Sequence, residues 1–230
     1  VSGVVLTPAT GLRFLRCERP ARTRPENMGI AAHWRAARAL NPTLFDGPVV
    51  AVHSVEWESG TCLVRWWEAR YSEYLVRAAP GNDDYARVLF VSVAAVTPTG
   101  RLLVGRSADH TSAPGRVHLP GGNVEPVPHL TADNTRSQAL RELSEETGAT
   151  IPANRLRLWL VKEGGAHGDV GLFYRWDDVD EHAVMATFDN LTATTPQPEL
   201  AELLAADPHT FDPTNAVDYL PPLLRMLSPG

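Results

Sequence analysis

Residues 141 to 149 read Arg-Glu-Leu-Ser-Glu-Glu-Thr-Gly-Ala, and Leu119-Pro-Gly-Gly122 stands upstream. These two segments together constrain the chain more than any other feature. On a helix, Glu142 lies i,i+3 from Glu145 and i,i+4 from Glu146, so three carboxylates share one side. Like charges at that spacing repel by about 0.2–0.5 kcal/mol per pair. Arg141 stands i,i+4 from Glu145 and supplies one internal partner. The remaining charge calls for a cation, and an all-oxygen donor set favours Mg²⁺ or Mn²⁺. A solvated helix ended by a capping glycine carries the same Glu-Glu-x-Gly string. The joint occurrence with Arg141-Glu142 and with Pro120-Gly-Gly122 favours the metal reading.

The surrounding sequence predicts an alternation of strands and helix. Val88–Val96 is an apolar, β-branched run suited to a buried strand. Thr97-Pro-Thr-Gly100 is turn chemistry, and Leu102–Arg106 reads as the returning strand. Val117–Leu119 is a short strand leading into a Gly121-Gly122 turn, where glycine lets the backbone approach a phosphate or metal. Thr131 or Asp133 is positioned to N-cap the next helix. Ala139, Leu140 and Leu143 form its apolar stripe, and Gly148 stops it. Leu156–Val161 and Val170–Trp176 read as further strands.

Residues 1 to 26 are rich in Pro and Arg and read as partly irregular. Ile30–Leu40 has helical spacing, stopped by Asn41-Pro42. Val49–Trp57 and Thr61–Ala69 alternate as two strands around Glu58-Ser-Gly60, a hairpin signal. Tyr71–Arg77 reads as a short helix and Ala79–Asp84 as a linker. The division is therefore an N-terminal helix-and-hairpin unit over 1–85 and a main domain over 86–230. The aromatic N-terminal unit reads as packing and oligomer surface, which makes a homodimer an expectation.

Composition sets limits on partners. The chain has 230 residues and is 43% apolar, enough for an ordinary core. No run of 18 apolar residues is present, so no membrane span is expected. The N-terminus lacks a signal-peptide pattern. Cys17 and Cys62 have no metal spacing and read as free thiols in a reducing cytoplasm. A net charge of −6 argues against nonspecific nucleic-acid binding. The arginines between Arg13 and Arg24 read as a solvated tail rather than a nucleic-acid arm.

The segment from Leu119-Pro-Gly-Gly122 to Arg141-Glu-Leu-Ser-Glu-Glu-Thr-Gly148 resembles the box of the Nudix family, which hydrolyses nucleoside diphosphates linked to another moiety. The C-terminal half matches almost fully, with Ala149 a weak form of the last apolar position. The family's first glutamate falls on Asp133. Ten residues separate Gly122 from Asp133, twice the family's spacing, as if five were inserted within Glu125–Ala132. The resemblance covers roughly residues 86 to 225. It implies an α/β fold, an α/β/α sandwich around a mixed sheet, with the small N-terminal α+β subdomain added. Asn41–Pro48, Tyr71-x-x-Tyr74-Leu, Gly105-Arg-Ser107, Ala113-Pro-Gly115 and the expanded gap after Gly-Gly-x-x-Glu125-Pro also resemble the branch acting on UDP-glucose and UDP-galactose.

The resemblance implies a small-molecule diphosphate substrate and Mg²⁺, with Mn²⁺ the alternative. Glu142, Glu145, Glu146 and the Gly122 carbonyl are the expected metal ligands. Arg141, Glu145 and Glu146 are the expected catalytic group, Arg141 orienting the glutamates. Arg106, Gly121 and Glu163 are the expected substrate contacts. Glu125 reads as a turn or supporting residue, His118 as structural, and His167 and Asp169 as loop candidates. Glu199 and Glu202, before a late helix, are alternative sources of the base. ADP-ribose or another dinucleotide, coenzyme A and a prenyl diphosphate are the competing substrates. A non-catalytic sensor and a pure interaction module are the competing classes. The intact carboxylates, and the lack of a basic helix-turn-helix signal, weigh against them.

Overall fold

The structure, a computed structural model, describes residues 3–77 and 85–227. The linker expected over 79–84 lies outside the described residues. Among those residues an eight-stranded mixed sheet forms the frame. It runs β1 (Val5–Pro8), β9 (Arg157–Glu163), β10 (Val170–Trp176), β5 (Arg87–Ala95), β3 (Pro48–Glu58), β4 (Thr61–Arg70) and β2 (Gly11–Arg16). The eighth strand, β8 (Gly121–Asn123), also pairs with β5. β10 runs parallel to β5, and β2 parallel to β4. A three-stranded sheet of β11 (Leu200–Ala206), β6 (Leu102–Ser107) and β7 (Val117–His118) packs on one face.

Alternation along the central strand explains the layering. Leu89, Val91, Val93 and Ala95 join one apolar cluster with Ala139 and Leu143 of helix α3 (Ala132–Thr147). Val184 and Phe188 of α4 (Glu181–Thr194) join the same cluster. Ala94 and Val96 belong to a second cluster, with Phe173, Leu220 and Leu223, the last two from α5 (Leu220–Leu227). A strand covered on both faces is near-continuously apolar, as Val88–Val96 is apart from Ser92. The expected α/β/α sandwich with a mixed sheet is present.

The local signals hold where they depend on near neighbours. The Thr131 hydroxyl accepts from the Asn134 N–H, and the Asn134 side chain accepts from the Thr131 N–H, closing a capping box. Gly148, at φ 73°, ends α3 in the left-handed conformation. Ser59 and Gly60 both have positive φ and close the β3–β4 hairpin in two residues. The short helix α2 spans Tyr71–Arg77.

The structure differs from the expectation in four places. Helix α1 spans Arg24–Leu40 and starts six residues earlier than Ile30, because Thr23 and Glu26 form a capping box and Pro25 suits the first turn. β1 and β2 lie in the region expected to be irregular; their hydrogen-bond partners are β9 and β4, far away in sequence. Gly121 and Gly122 form strand rather than turn, paired with Ser92 and Val91 of β5. Leu200–Ala206 is a strand, so Glu202 lies within β11 and Glu199 just before it. The N-terminal strands continue the main sheet: β3 pairs with Arg87 and Val88, and the Val50 N–H donates to the Val124 carbonyl at 2.9 Å. No described helix is long and apolar enough to cross a membrane. Cys17 and Cys62 are free.

Candidate active site

Helix α3 places its carboxylates against β8. Glu146 is 5% exposed, and its Oε2 accepts from the Gly121 N–H at 3.0 Å. Burial pushes its pKa well above the usual carboxylate value; the Gly121 bond opposes this, and Glu199, Glu142 and Glu145 push it further up. The charges acting on Glu146 are thus other carboxylates. Burial also raises Glu142, offset by Arg141. Glu145 is exposed.

Both glycines are set by close approach. A Cβ on Gly121 would run into the Val91 carbonyl and Ser92, and one on Gly122 would lie 2.5 Å from Glu142 Oε2. Only residues without a side chain let β8 sit between β5 and the carboxylates.

Arg141 does not take the helical partner expected of it. Its guanidinium donates to Glu125 Oε1 at 2.8 Å and to Glu142 Oε1 at 3.2 Å, while Glu145 contributes only a longer-range field. Glu125, inside the expanded gap, therefore folds back onto α3. Gln138 was missed at the level of sequence. It donates to the Asn123 carbonyl at 2.5 Å and accepts from the Glu125 N–H at 3.1 Å, tying the end of β8 to α3. The available signal was its place four residues before Glu142, on the same helix side. Asp133 points elsewhere, 84% exposed and 3.3 Å from Arg136.

Glu146, Gly121, Gly122 and Glu125 border a cavity of about 960 Å³, whereas Arg141, Glu142 and Glu145 are outside its lining. Gly121, Gly122, Glu125, Glu146 and Glu199 form one wall. Phe45, Tyr71 and Tyr74 of the N-terminal unit form another. The sequence read the aromatic N-terminal unit as packing and oligomer surface; these three of its aromatics line the cavity. His118 and His167 also line the cavity. His118 Nδ1 lies 2.8 Å from the Leu119 carbonyl, which can only accept, so Nδ1 carries the proton and Nε2 accepts from the Ser107 hydroxyl at 2.9 Å. Burial lowers its pKa and keeps the ring neutral.

Arg106 and Glu163, expected at the substrate, are outside the cavity lining. Arg106 donates to Glu202 Oε2 at 2.9 Å across the β6–β11 pair, which also occupies Glu202. Glu163 accepts from the Trp57 indole at 3.2 Å. Arg116, which the sequence did not single out, stands in the cavity wall.

The donor set fits a divalent cation in its chemistry: hard oxygens, and a buried carboxylate pressed by other carboxylates. Among the described residues no three Asp, Glu, His or Cys side chains close into a ready-made cage. Mg²⁺ does not need one, because it commonly takes one or two carboxylates and fills its shell with water and substrate phosphate.

The sequence pattern of the NUDIX domain matches residues 87–224, well over half of the chain. No curated protein matches. Among solved structures, the chain is similar to a MutT/nudix family protein from Enterococcus faecalis, at 20% identity and TM-score 0.33; the match covers 40% of this chain and 36%, about a third, of that one. It is similar to the MutT protein from Methanosarcina mazei Go1, at 15% identity and TM-score 0.40, covering 61% of this chain and 92% of that one. It is also similar to DR0079 from Deinococcus radiodurans, at 15% identity and TM-score 0.45, covering 78% and 98%. Nudix enzymes generally use divalent metals, and Nudix proteins bind small-molecule diphosphates. The chain belongs to the Nudix family.

Proposed function

We propose that the chain cleaves the diphosphate bond of a nucleoside diphosphate linked to a sugar, with a UDP-sugar giving UMP and a sugar 1-phosphate. The observation that carries the reading is Glu146, buried against the Gly121 N–H with only carboxylates acting on it. Such a group ionises readily only with cationic charge beside it. Support for a sugar nucleotide comes from the spacing of Gly105–Pro126 and the expanded gap before Asp133. A cavity of about 960 Å³ has room for a nucleotide and a sugar. The N-terminal unit, residues 1–85, is part of this site through Phe45, Tyr71 and Tyr74, and residues 86–230 are the hydrolase domain.

Glu142, Glu145, Glu146 and the Gly122 carbonyl would hold the metal, Mg²⁺ ahead of Mn²⁺. When bound, such an ion neutralises diphosphate charge and acidifies a water. The protein's own groups do the rest. The Gly121 N–H holds Glu146 Oε2 in place. Arg141 ties Glu142 to Glu125, a positioning role. Glu145 or Glu146 takes the proton of the attacking water, and Glu199, in the same cavity wall as Glu146, is the alternative base. Arg116 in the wall pairs with a phosphate oxygen.

Incubation with Mg²⁺ or Mn²⁺ and a panel of UDP-glucose, UDP-galactose, ADP-ribose, NADH, coenzyme A and farnesyl diphosphate, read by phosphorus NMR, tests this. UMP with a sugar 1-phosphate is the expected result. Turnover of another member alone removes the UDP-sugar assignment, and no turnover with either metal overturns the proposal.

A further inference from the structure

A second cavity of about 280 Å³ lies beside the first. Gly121 and Gly122 are in the walls of both, so it adjoins the carboxylates of α3. Its other walls include Tyr71, Tyr74, Phe90, Tyr219 and Asp169. Asp169 is 8% exposed. The Tyr74 hydroxyl donates to its Oδ2 at 3.2 Å, and its Oδ1 has no hydrogen-bond partner. A buried carboxylate oxygen without a donor is costly and calls for an explanation.

The counter-charge comes from within. Lys162, the sole lysine of the chain, is 3% exposed. Its ammonium donates to the Asp169 carbonyl at 3.2 Å, stands 3.8 Å from Asp218 and lies 5.9 Å from the Phe90 ring centre. An aromatic-walled cavity with a carboxylate is otherwise an arrangement that takes an ammonium ligand. Here a second cation would meet Lys162, and like charges this close repel. A second consequence concerns Tyr74. Its proton is committed to Asp169, so its oxygen has only lone pairs to offer. The chemistry presented to a ligand is hydrogen-bond acceptance beside aromatic faces.

We propose that this smaller cavity is the specificity pocket for the end of the substrate beyond the diphosphate, and that Tyr74, positioned by Asp169, accepts a hydrogen bond there from a neutral O–H or N–H group. The inference rests on the diphosphate-hydrolase reading for the identity of the adjoining site. Both a nucleobase and a sugar carry such donors. An analogue lacking the donor would leave buried acceptors unpaired, and discrimination follows from that loss.

The test is calorimetric titration of the full chain, with Mg²⁺ present, using UMP, AMP, glucose 1-phosphate, phosphocholine and inorganic phosphate. None of these requires turnover, so binding is read separately from hydrolysis. Either the nucleotides or the sugar phosphate bind more tightly than inorganic phosphate, which identifies the source of the donor. Tyr74→Phe then weakens that fragment about tenfold and leaves phosphate unchanged. Asp169→Asn, which keeps the shape but removes the charge that orients Tyr74, weakens the same fragment and carries the test if Tyr74→Phe melts early. Unchanged affinity in the folded variants, fragments binding no better than phosphate, or a preference for phosphocholine each overturns the proposal. Failure of the hydrolase reading shows differently: no turnover in the diphosphate panel, with the Tyr74-dependent fragment binding intact.

Discussion

The Gly121 N–H and the Glu146 carboxylate are joined by a 3.0 Å hydrogen bond across 25 residues of sequence. That bond locks β8 onto α3, and the close approach of β8 to β5 on one side and to Glu142 on the other leaves no room for a side chain at Gly121 or Gly122. The two glycines differ in what a methyl group would meet. At Gly121 it would strike the Val91 backbone, and at Gly122 the end of the flexible Glu142 side chain. Gly121→Ala is expected to lower the melting temperature and abolish turnover together. Gly122→Ala is expected to keep most of the melting temperature while displacing Glu142 and weakening metal binding. Thermal melts with and without Mg²⁺, run on both variants, separate the two; equal melting losses would contradict the account.

Glu146 makes stability depend on pH. Burial raises its pKa above the ordinary 4.5, so the folded chain keeps this proton to higher pH than the unfolded chain. The associated stability is complete below about pH 4.5 and is lost as pH rises through the raised value. Glu146→Gln removes that titration. Without metal at pH 7 the variant should melt above the wild type, and the gap should close as pH falls toward 4.5. Its turnover should drop by about 100-fold or more. A wild type that melts higher than the variant at pH 7 in a metal chelator would refute this.

Arg141 acts as a clamp between Glu125 and Glu142. Both bonds leave one guanidinium nitrogen, Nη2, at the end of a side chain longer than lysine's. Arg141→Lys should reduce metal affinity about 10–100-fold. Because the side chain is 44% exposed, the stability change should stay under about 1 kcal/mol. Metal titration followed by urea denaturation reads both quantities on one sample.

Leu143 is 1% exposed and belongs to the cluster between α3 and the sheet. Leu143→Ala should cost about 2–5 kcal/mol in urea denaturation. Since Glu146 stands one turn from Leu143 on α3, metal affinity should fall with it. Ser137→Ala, at an exposed position of the same helix, should change neither quantity.

The sequence by itself determines the parts of this protein that rest on residues within one helical turn or one hairpin. The α3 carboxylates fall on one side because of their spacing, Thr131 and Gly148 bound that helix, and Ser59-Gly60 closes a hairpin; all of these need only local geometry. Tertiary structure alone decides which remote groups they meet. The strands β1, β2 and β11 exist because an edge elsewhere in the chain supplies their hydrogen bonds, and their own residues carry weak alternation. Arg141 has Glu145 one turn away and still pairs with Glu125, because the expanded gap folds back to within 2.8 Å. Tyr74 meets Asp169 across 95 residues only because β3 extends the sheet that β10 belongs to. Local pattern reports on propensity, whereas an ion pair or a buried hydrogen bond is chosen by distance in space, and that distance is set when the sheet assembles.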